Sequence, residues 1–329
     1  MTTSPCSSGT GSTHVNTSTS SSQSSGGERP LRVAVTGSSG LVGAAVVDHF
    51  RKQGHEVTRL VRSFSEAGIG ERVAVWHPHE RTIEHAALEG LDLVVHLAGE
   101  SIFGVWTDAK KRRIRESRVG GTGFLAETLA GLERPPGVLL TASGVNYYGD
   151  RPPGEPVDEA STRGRGFLAR VVDAWEAAAA PAAEAGIRVA NLRFGLVMSG
   201  EGGLLGTLKP LFRLGLGGPL GDGRQMVSWI ALPDVPRAMS HVLTHPELAG
   251  PVNVTTPHPV TNAEFTRHLA AALERPAFFR LPSFAARLAP GEMADELILA
   301  GARVVPRKLQ ESGFEWRYPE LGQALEALL

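Results

Sequence analysis

The stretch that decides the fold runs from Leu31 to Gly43 and reads LRVAVTGSSGLVG. Its first half is a short apolar run rich in β-branched residues, which is typical of a buried strand. Glycines follow at three-residue spacing, and from Leu41 the apolar side chains recur on one face of a helix that continues to Gln53. A strand that enters a helix through such a turn indicates the first unit of a sheet covered by helices.

Each glycine of this turn has a physical role. Gly37 permits the tight turn, Gly40 lets the backbone approach a ligand without a Cβ atom in the way, and Gly43 lets the helix pack closely on the strand. The unpaired N–H groups at the start of the helix then face the pyrophosphate of a dinucleotide. A plain strand-to-helix connection is the alternative, but the position at the first such junction favours dinucleotide binding. The residues predicted here to contact the cofactor are Gly37, Ser38, Ser39, Gly40, Leu41, Val42 and Gly43.

The rest of the chain alternates apolar runs with stretches of helical period. The predicted strands are Arg32–Thr36, Glu56–Val61, Val73–Trp76, Leu91–Leu97, Gly137–Ala142, Ile187–Leu192 and Val252–Thr255. The predicted helices are Leu41–Gln53, Lys110–Leu132, Phe167–Ala185 and Val235–Leu243, the last with Asp234 as its N-cap. We therefore predict an α/β fold, a Rossmann-type doubly wound parallel sheet with a smaller C-terminal substrate lobe.

The predicted domain boundaries follow changes in composition. Residues 1–30 are rich in Ser and Thr and have almost no large apolar side chain, so we predict a disordered tail. A transit peptide is less favoured because the segment has Arg29 as its only cation and no amphipathic period. Residues 31–200 form the predicted cofactor-binding domain, completed by a strand near 250–256, and residues 201–329 form most of the substrate-side lobe.

The composition argues against several classes of protein. The chain of 329 residues has 33 Lys or Arg and 34 Asp or Glu, and its formal net charge of -1 gives no overall attraction to nucleic acid or to an anionic membrane. The only cysteine, Cys6, excludes a disulfide framework and favours a reducing cytoplasm. We expect no membrane span, secretory signal or metal site, because no apolar run or histidine pattern fits one. The expected partner is a small-molecule substrate, and the oligomeric state is not indicated.

The choice of cofactor is indicated at the end of the second predicted strand. In a dinucleotide-binding fold an acid at this place binds the 2′-hydroxyl of NAD and repels the 2′-phosphate of NADP. This chain has Arg62 and no acid between residues 59 and 63, and a guanidinium forms two hydrogen bonds with a phosphate. We therefore predict NADP(H) rather than NAD(H). The alternative is that Arg62 is a solvated side chain at a strand end.

Longer motifs extend along the chain. They are TGSSGLVG from Thr36, HLAGES from His96, TASGVNYYGD from Thr141, GLGGPLGDGRQMVSWI from Gly215 and VVPRKLQESGFEWRYPELGQAL from Val304. With these motifs the chain resembles the atypical short-chain dehydrogenase/reductases of the epimerase family, a group that includes nucleoside-diphosphate-sugar-epimerase-like and cell-division-inhibitor-like proteins. The likeness covers nearly everything after the predicted tail.

The resemblance implies an extended Rossmann domain with NADP(H) lying over the carboxyl ends of its strands. The adenosine end of the cofactor would lie at the end of the second strand, and the nicotinamide near the sixth. Position 118 is occupied by Arg where ordinary members have Asn. The further residues implied to contact the cofactor are Val61, Arg62, Leu97, Ala98, Gly99, Arg118 and Val197.

The catalytic pattern of ordinary members is absent from this chain. They carry a Tyr-x-x-x-Lys pair on one helix, where the Tyr exchanges a proton with the substrate and the Lys lowers the pKa of the Tyr. The matching helix offers Leu168 and Val172 or, shifted by one residue, Phe167 and Val171. Neither alignment supplies a phenol or an ammonium group.

Ser143 and Tyr148 are the remaining candidates for catalysis. Ser143 would hydrogen-bond a substrate oxygen, and Tyr148 would donate a proton if Arg118 lowered its pKa. In the alternative interpretation both side chains are structural, with the tyrosine hydroxyl at the rim of the pocket. Glu100 would act as a base or bond a loop amide. Further candidate substrate contacts are Arg193, Gln225 and Trp229.

Two functions remain open from the sequence. The first is an NADP(H)-dependent oxidoreductase or epimerase that acts on a small carbonyl or hydroxyl compound. The second is a non-catalytic protein that senses NADP(H) or binds a partner. The missing Tyr and Lys favour the second function, whereas the glycine turn fits both.

Overall fold

The computed structural model of the protein describes residues 1, 2, 4, 29–277, 279 and 291–329. Most of the predicted tail, with Cys6, lies outside the described residues. The fold starts at the strand that opens at Arg32.

One large sheet forms the centre of the molecule. Its strands are β1 (Arg32–Thr36), β2 (Glu56–Val61), β3 (Arg72–His77), β4 (Thr82–Ile83), β5 (Leu93–His96), β6 (Val138–Gly144), β8 (Arg188–Phe194) and β12 (Gly250–Val254). They lie in the order β12-β8-β6-β5-β1-β2-β3-β4, and every neighbouring pair is parallel except β3 with β4. The predicted doubly wound parallel sheet is confirmed. The short strands β7 (Pro156–Val157), β9 (Leu196–Met198), β10 (Met226–Val227), β11 (Trp229–Ala231), β13 (Val260–Thr261) and β14 (Arg303–Val304) pair as β14 with β7, β9 with β11 and β10 with β13.

Helices cover both faces of this sheet and the chain end. They are α1 (Leu41–Lys52), α2 (Asp108–Ala130), α3 (Phe167–Ala177), α4 (Ala180–Glu184), α5 (Gly203–Arg213), α6 (Asp234–Thr244), α7 (Asn262–Ala272), α8 (Glu292–Ala294), α9 (Arg307–Glu311) and α10 (Leu321–Leu328). Single turns of 3₁₀ helix occur at Phe64–Glu66, His85–Ala87 and Val145–Tyr148, and a π turn at Asp295–Leu299 follows α8.

The alternation of side chains along β1 divides the core into two layers. Val33 and Val35 point to one face, where they join Phe50 of α1 and Val242 of α6. Ala34 points to the other face, into the cluster formed with α2 and α4. Burying each large apolar side chain of this kind contributes roughly 1.5–3 kcal/mol, so both faces hold the sheet.

The helix predicted over residues 167–185 is wrong in one respect, because the chain forms two helices there. α3 ends at Ala177 and α4 starts at Ala180, with Pro181 in its first turn. Proline has no N–H group to donate to the carbonyl four residues earlier, so α3 cannot continue through this position.

Asp234 does not act as the N-cap that the sequence predicts. The helix α6 includes Asp234 as its first residue, and the carboxylate is fully buried. It accepts the backbone N–H groups of Arg317 and Tyr318, each at 2.9 Å, and pairs with Arg237 at 2.6 Å. The carboxylate therefore anchors the C-terminal part of the chain to the sheet domain.

Candidate cofactor and substrate site

The glycine turn between β1 and α1 is pressed against the end of β5. Gly37 has a φ of +64°, and a Cβ atom there would lie 2.8 Å from the backbone nitrogen of Ala98 and from the carbonyl oxygen of Leu97. A Cβ atom on Gly43 would lie 2.1 Å from the carbonyl oxygen of Gly37. Both positions therefore require glycine, the first for its conformation and both for the close approach of backbone.

The start of α1 presents backbone donors that lack acceptors. Its N-cap is Gly40, which has no side chain to accept a hydrogen bond, and the first turn contains no acidic residue. Within the described part of the chain the N–H groups of Leu41, Val42 and Gly43 donate to no acceptor. The partial positive charge of a helix N-terminus and three free N–H groups suit a diphosphate, so these residues fit the implied cofactor.

A group of charged residues lies at the adenosine end of the predicted cleft. The Nε atom of Arg59 donates to Oγ of Ser38 at 3.0 Å, and its Nη1 atom binds Glu71 at 2.5 Å. Glu71 also binds Arg51 at 2.7 Å, and this hydrogen bond is the main reason that the pKa of Glu71 falls to about 2. The guanidinium of Arg62 is exposed and has no hydrogen bond or ion pair within the described residues. Arg59 is not among the residues predicted to contact the cofactor, because a cation in the middle of the strand Glu56–Val61 carries no local signal of a ligand.

Thr36 and His96 fix the floor of the cleft. Oγ1 of Thr36 accepts the N–H groups of Leu97 at 3.0 Å and Ala98 at 3.2 Å, so its own hydrogen is free for Nδ1 of His96 at 2.7 Å. His96 is completely buried, and burial lowers its pKa to about 4. The neutral ring therefore ties β5 to β1 directly beside the glycine turn.

Arg118 lies at the edge of this cleft as a partly buried cation. Its Nη1 atom donates to the carbonyl oxygen of Glu100 at 2.9 Å, its Cζ atom is 5.0 Å from the ring centroid of Trp175, and a Cβ atom on Gly99 would lie 3.5 Å from Cζ. Burial lowers the pKa of Arg118 to about 10.

The carboxylate of Glu100 binds Lys110 at 2.7 Å, and this hydrogen bond is the largest cause of the lowered pKa of Glu100. Glu100 thus takes part in an ion pair with Lys110 at the edge of the cleft.

The apolar residues implied to contact the cofactor lie around the turn. Val61 ends β2 and is buried, and Val197 of β9 is partly buried against the cluster that contains α1. Residues 200–202 lead directly into α5, which starts at Gly203. A Cβ atom on Gly203 would lie 3.3 Å from Cδ2 of Leu41, so α5 starts immediately over the glycine turn.

Ser143 meets a buried ion pair at the carboxyl end of the sheet. Ser143 and Arg193 are register partners on β6 and β8. Oγ of Ser143 donates to Oε1 of Glu176 at 2.5 Å, and Arg193 binds both Glu176 oxygens at 2.8 Å. The side chains of Arg193 and Glu176 are only 3% and 12% exposed. Burial by itself lowers the pKa of Arg193, but its hydrogen bonds to Glu176 and to the phenol of Tyr148 leave the pKa raised, so the guanidinium stays charged.

Tyr148 has a different role from the one predicted. It is fully buried, its hydroxyl donates to Oδ1 of Asn253 at 2.7 Å, and it accepts a hydrogen bond from Arg193 at 3.0 Å. Burial raises the pKa of Tyr148 to about 12. The expectation that Arg118 lowers this pKa is therefore wrong, because the adjacent cation is Arg193 and burial dominates. A side chain without exposed surface does not reach a substrate, so Tyr148 is part of the structural core.

The helix expected to carry the Tyr-x-x-x-Lys pair is apolar on the corresponding face. At both alignments the side chains are buried or partly buried: Phe167, Leu168, Val171 and Val172. The ring of Phe167 lies 5.2 Å from that of Trp106, which encloses this face. The start of α3 is held by Glu296 from the C-terminal segment, whose carboxylate accepts the N–H groups of Phe167 at 2.6 Å and Leu168 at 2.7 Å.

Two of the further candidate substrate contacts also have partners within the protein. Trp229 is fully buried and its Nε1 atom donates to the carbonyl of His258 at 3.2 Å, so the expectation of a substrate contact there is wrong. Gln225 donates to the carbonyl oxygens of Leu220 at 3.2 Å and Ile298 at 3.1 Å. It connects the loop before β10 to the C-terminal segment.

Two surface cavities lie away from the glycine turn. A cavity of about 410 Å³ is bordered by α7 and contains none of the predicted site residues. A groove of about 390 Å³ between α3–α4 and β8 has Glu176 and Asn191 among its lining residues, with alanines along one side. Among the residues that the structure describes, no group of three His, Cys, Asp or Glu side chains could hold a metal ion, and no helix has the length and apolar character needed to cross a membrane.

The sheet order and the glycine turn at the first strand define a Rossmann-type protein of the short-chain dehydrogenase/reductase class. The model of the NAD dependent epimerase/dehydratase family matches residues 33–255, and a model described as a domain of unknown function matches residues 281–328. The chain belongs to the NAD dependent epimerase/dehydratase family.

Similar proteins agree with this assignment over most of their length. An epimerase family protein of Mycobacterium bovis is 42% identical over 294 residues, which are 89% of this chain and 96% of that protein. The human epimerase family protein SDR39U1 is 32% identical over 302 residues, or 91% of this chain and 100% of that protein. The crystal structure of human SDR39U1 (isoform 2) with NADPH gives a TM-score of 0.82 at 33% identity and covers 91% of this chain and 99% of that chain. A nucleoside-diphosphate sugar epimerase from Corynebacterium glutamicum gives a TM-score of 0.75 at 38% identity, covering 92% of this chain and 59% of that chain.

Proposed function

We propose that the protein binds NADP(H) in preference to NAD(H) and uses it in the oxidoreduction or epimerisation of a small hydroxyl or carbonyl compound. The observation that carries the choice of cofactor is the excess of positive charge at the adenosine end of the cleft. Arg51 and Arg59 share the carboxylate of Glu71. The carboxylate of Glu66 accepts the backbone N–H of Arg62 at 3.2 Å, and the guanidinium of Arg62 forms no ion pair within the described residues, so three guanidinium groups face two carboxylates. A 2′-phosphate supplies the negative charge that this group lacks. The similar human protein SDR39U1 was crystallised with NADPH, which supports the same cofactor.

Two residues would hold the 2′-phosphate in this proposal. Arg62 is free to turn toward it, and Arg59 already lies 3.0 Å from the hydroxyl of Ser38 in the glycine turn. A hydrogen bond between a charged donor and acceptor contributes about 1.5–3 kcal/mol. Removing either guanidinium should therefore weaken NADPH roughly tenfold to a hundredfold, because 1.4 kcal/mol corresponds to a factor of ten. The affinity for NADH should change far less.

Calorimetry with both reduced nucleotides tests the preference. We expect Arg62→Glu and Arg59→Ala to lower the ratio of NADPH to NADH affinity at least tenfold. Arg72→Ala is the matched control, since Arg72 pairs with Glu56 at the amino ends of β2 and β3, the opposite edge of the sheet. An unchanged ratio in Arg62→Glu and Arg59→Ala would remove the basis for the NADP(H) assignment.

A second candidate function is favoured by the apolar face of α3. With Leu168 and Val172 at the positions of the Tyr and Lys, and with Tyr148 buried, the usual proton donor is missing. The missing proton donor is consistent with a protein that binds NADP(H) without turnover. Such a protein would present a cofactor-dependent surface to a partner. NADPH consumption with a panel of carbonyl compounds separates the two: turnover supports the enzyme, and tight binding without turnover supports the sensor.

A further inference from the structure

We propose that Ser143 and Glu176 form a proton-accepting pair, and that the substrate group they receive is the hydroxyl of an alcohol that is oxidised. This inference rests on the proposed function, since the hydride acceptor is NADP⁺. It assigns to a serine and a carboxylate the proton transfer that the missing Tyr-x-x-x-Lys pair performs elsewhere in the class.

Ser143 and Glu176 are brought together by the position of Ser143 on β6 and of Glu176 on α3. Ser143 is the penultimate residue of β6, at the carboxyl edge of the sheet, where ligands of open parallel sheets bind. Glu176 is on α3, the same helix that lacks the Tyr and Lys, and its Oε1 atom is 2.5 Å from Oγ of Ser143. Arg193 fixes the carboxylate from the other side with two contacts of 2.8 Å. The carboxylate is therefore held in one orientation beside the serine.

The hydrogen positions follow from this arrangement. A carboxylate bound by a guanidinium is an acceptor only, so the hydrogen between Ser143 and Glu176 belongs to the serine. Oγ of Ser143 then keeps lone pairs but has no hydrogen left to offer. A group that meets it must donate, as a hydroxyl does and a carbonyl oxygen does not. A carbonyl would have to take the serine hydrogen away from Glu176, and a charge-assisted hydrogen bond is roughly twice as strong as the neutral one that would replace it.

The oxidation step balances with these groups. The substrate hydroxyl gives its proton to Oγ of Ser143 while the serine proton passes to Oε1 of Glu176. The adjacent C–H bond breaks with its electron pair, which leaves as hydride for the nicotinamide of NADP⁺, and the C–O bond becomes a carbonyl. Glu176 also lines the groove of about 390 Å³ beside β8, which gives the acquired proton a route to water.

A thiol at position 143 tests the pair without any substrate. The only native cysteine is Cys6, so a Cys6→Ser, Ser143→Cys variant carries one thiol, whose ionisation is read from thiolate absorbance at 240 nm. We expect its pKa to lie above the ordinary ~8.5 and to fall by at least 1 pH unit when Glu176→Gln is added. Equal thiol pKa values in the variants with and without Glu176→Gln would overturn the proposal. Calorimetry with NADPH on each variant shows that it is folded.

Turnover tests the substrate class. NADP⁺ is supplied with a panel of secondary alcohols, and NADPH with the ketones of the same carbon skeletons. We expect alcohol oxidation, with kcat/KM lowered at least 100-fold by Ser143→Ala and by Glu176→Gln. Glu184→Gln, at an exposed position on α4, is the matched control and should match the unaltered protein.

Every result of this assay decides the proposal. Wild-type oxidation rates in Glu176→Gln, turnover of ketones alone, or no turnover in either direction with NADP⁺ and NADPH bound would each overturn it. Failure of the proposed function itself would look different, since calorimetry would then detect no NADPH binding in the unaltered protein.

Discussion

Replacing Asp234 should release the C-terminal segment from the sheet domain. The carboxylate is fully buried and accepts the N–H groups of Arg317 and Tyr318. A buried donor left without a partner costs about 1–3 kcal/mol, so losing both in Asp234→Ala should lower the free energy of unfolding by about 4 kcal/mol. The contact with Arg237 adds at most about 1 kcal/mol, because that guanidinium is 38% exposed and screened by water. Asp234→Asn keeps one oxygen acceptor, so we expect it to lower the free energy of unfolding by about 2 kcal/mol.

Urea unfolding followed by tryptophan fluorescence measures this loss. Hydrogen exchange at the amides of Arg317 and Tyr318 reports it locally, and both should exchange faster in Asp234→Asn. The control is Asp48→Asn, since Asp48 forms an exposed pair with Lys52 and should change stability by less than about 0.5 kcal/mol. The reasoning is refuted if Asp234→Asn is as stable as Asp48→Asn, with the two amides exchanging as slowly as before.

Two further predictions concern the floor of the cleft. Because the folded pKa of His96 is about 4 and its unfolded value about 6.5, the unfolded chain takes up the proton first as the pH falls. The stability that neutral His96 gives above pH 6.5 should therefore be lost as the pH falls toward 4, by about 2 kcal/mol between pH 7.5 and 5.0. In urea unfolding, the free energy of unfolding of His96→Asn should fall by about 2 kcal/mol less than that of the unaltered protein over this range. Identical pH profiles of the two proteins would contradict the prediction. Gly37→Ala should weaken NADPH binding at least tenfold in calorimetry, because its Cβ atom would meet the backbone at 2.8 Å. Gly54→Ala has a similar positive φ in open space, and equal affinities in both variants would show that the close approach does not matter.

The parts of the fold predicted from the sequence are those fixed by local pattern. The predicted strands at 32–36 and 56–61 have the same first and last residues in the structure, because a short apolar run that is followed by a turn defines where a strand begins and ends. The start of the first helix at Leu41 was likewise marked by the glycines before it. The break between α3 and α4 was missed because alanine continues the helical pattern on both sides of Pro181.

The chemistry of the site depends on contacts that no local pattern shows. Arg193 and Tyr148 are 45 residues apart, and only the adjacency of β6 and β8 puts the guanidinium beside the phenol. The sequence offered Arg118 as the nearer cation, but its side chain lies against Trp175. Glu176 is 33 residues from its partner Ser143, so no local pattern connects the two.

The arrangement of the chain end has a consequence for how the protein is made. Glu296 holds the start of α3, Val304 pairs with Val157, and Asp234 holds the backbone at Arg317 and Tyr318. During synthesis residues 296–318 emerge from the ribosome after β12, the last strand of the large sheet in chain order, at roughly 5–20 residues per second. A nascent polypeptide released before Glu296 would contain every strand of the large sheet, but it would lack the carboxylate that holds the start of α3 and the backbone that Asp234 binds.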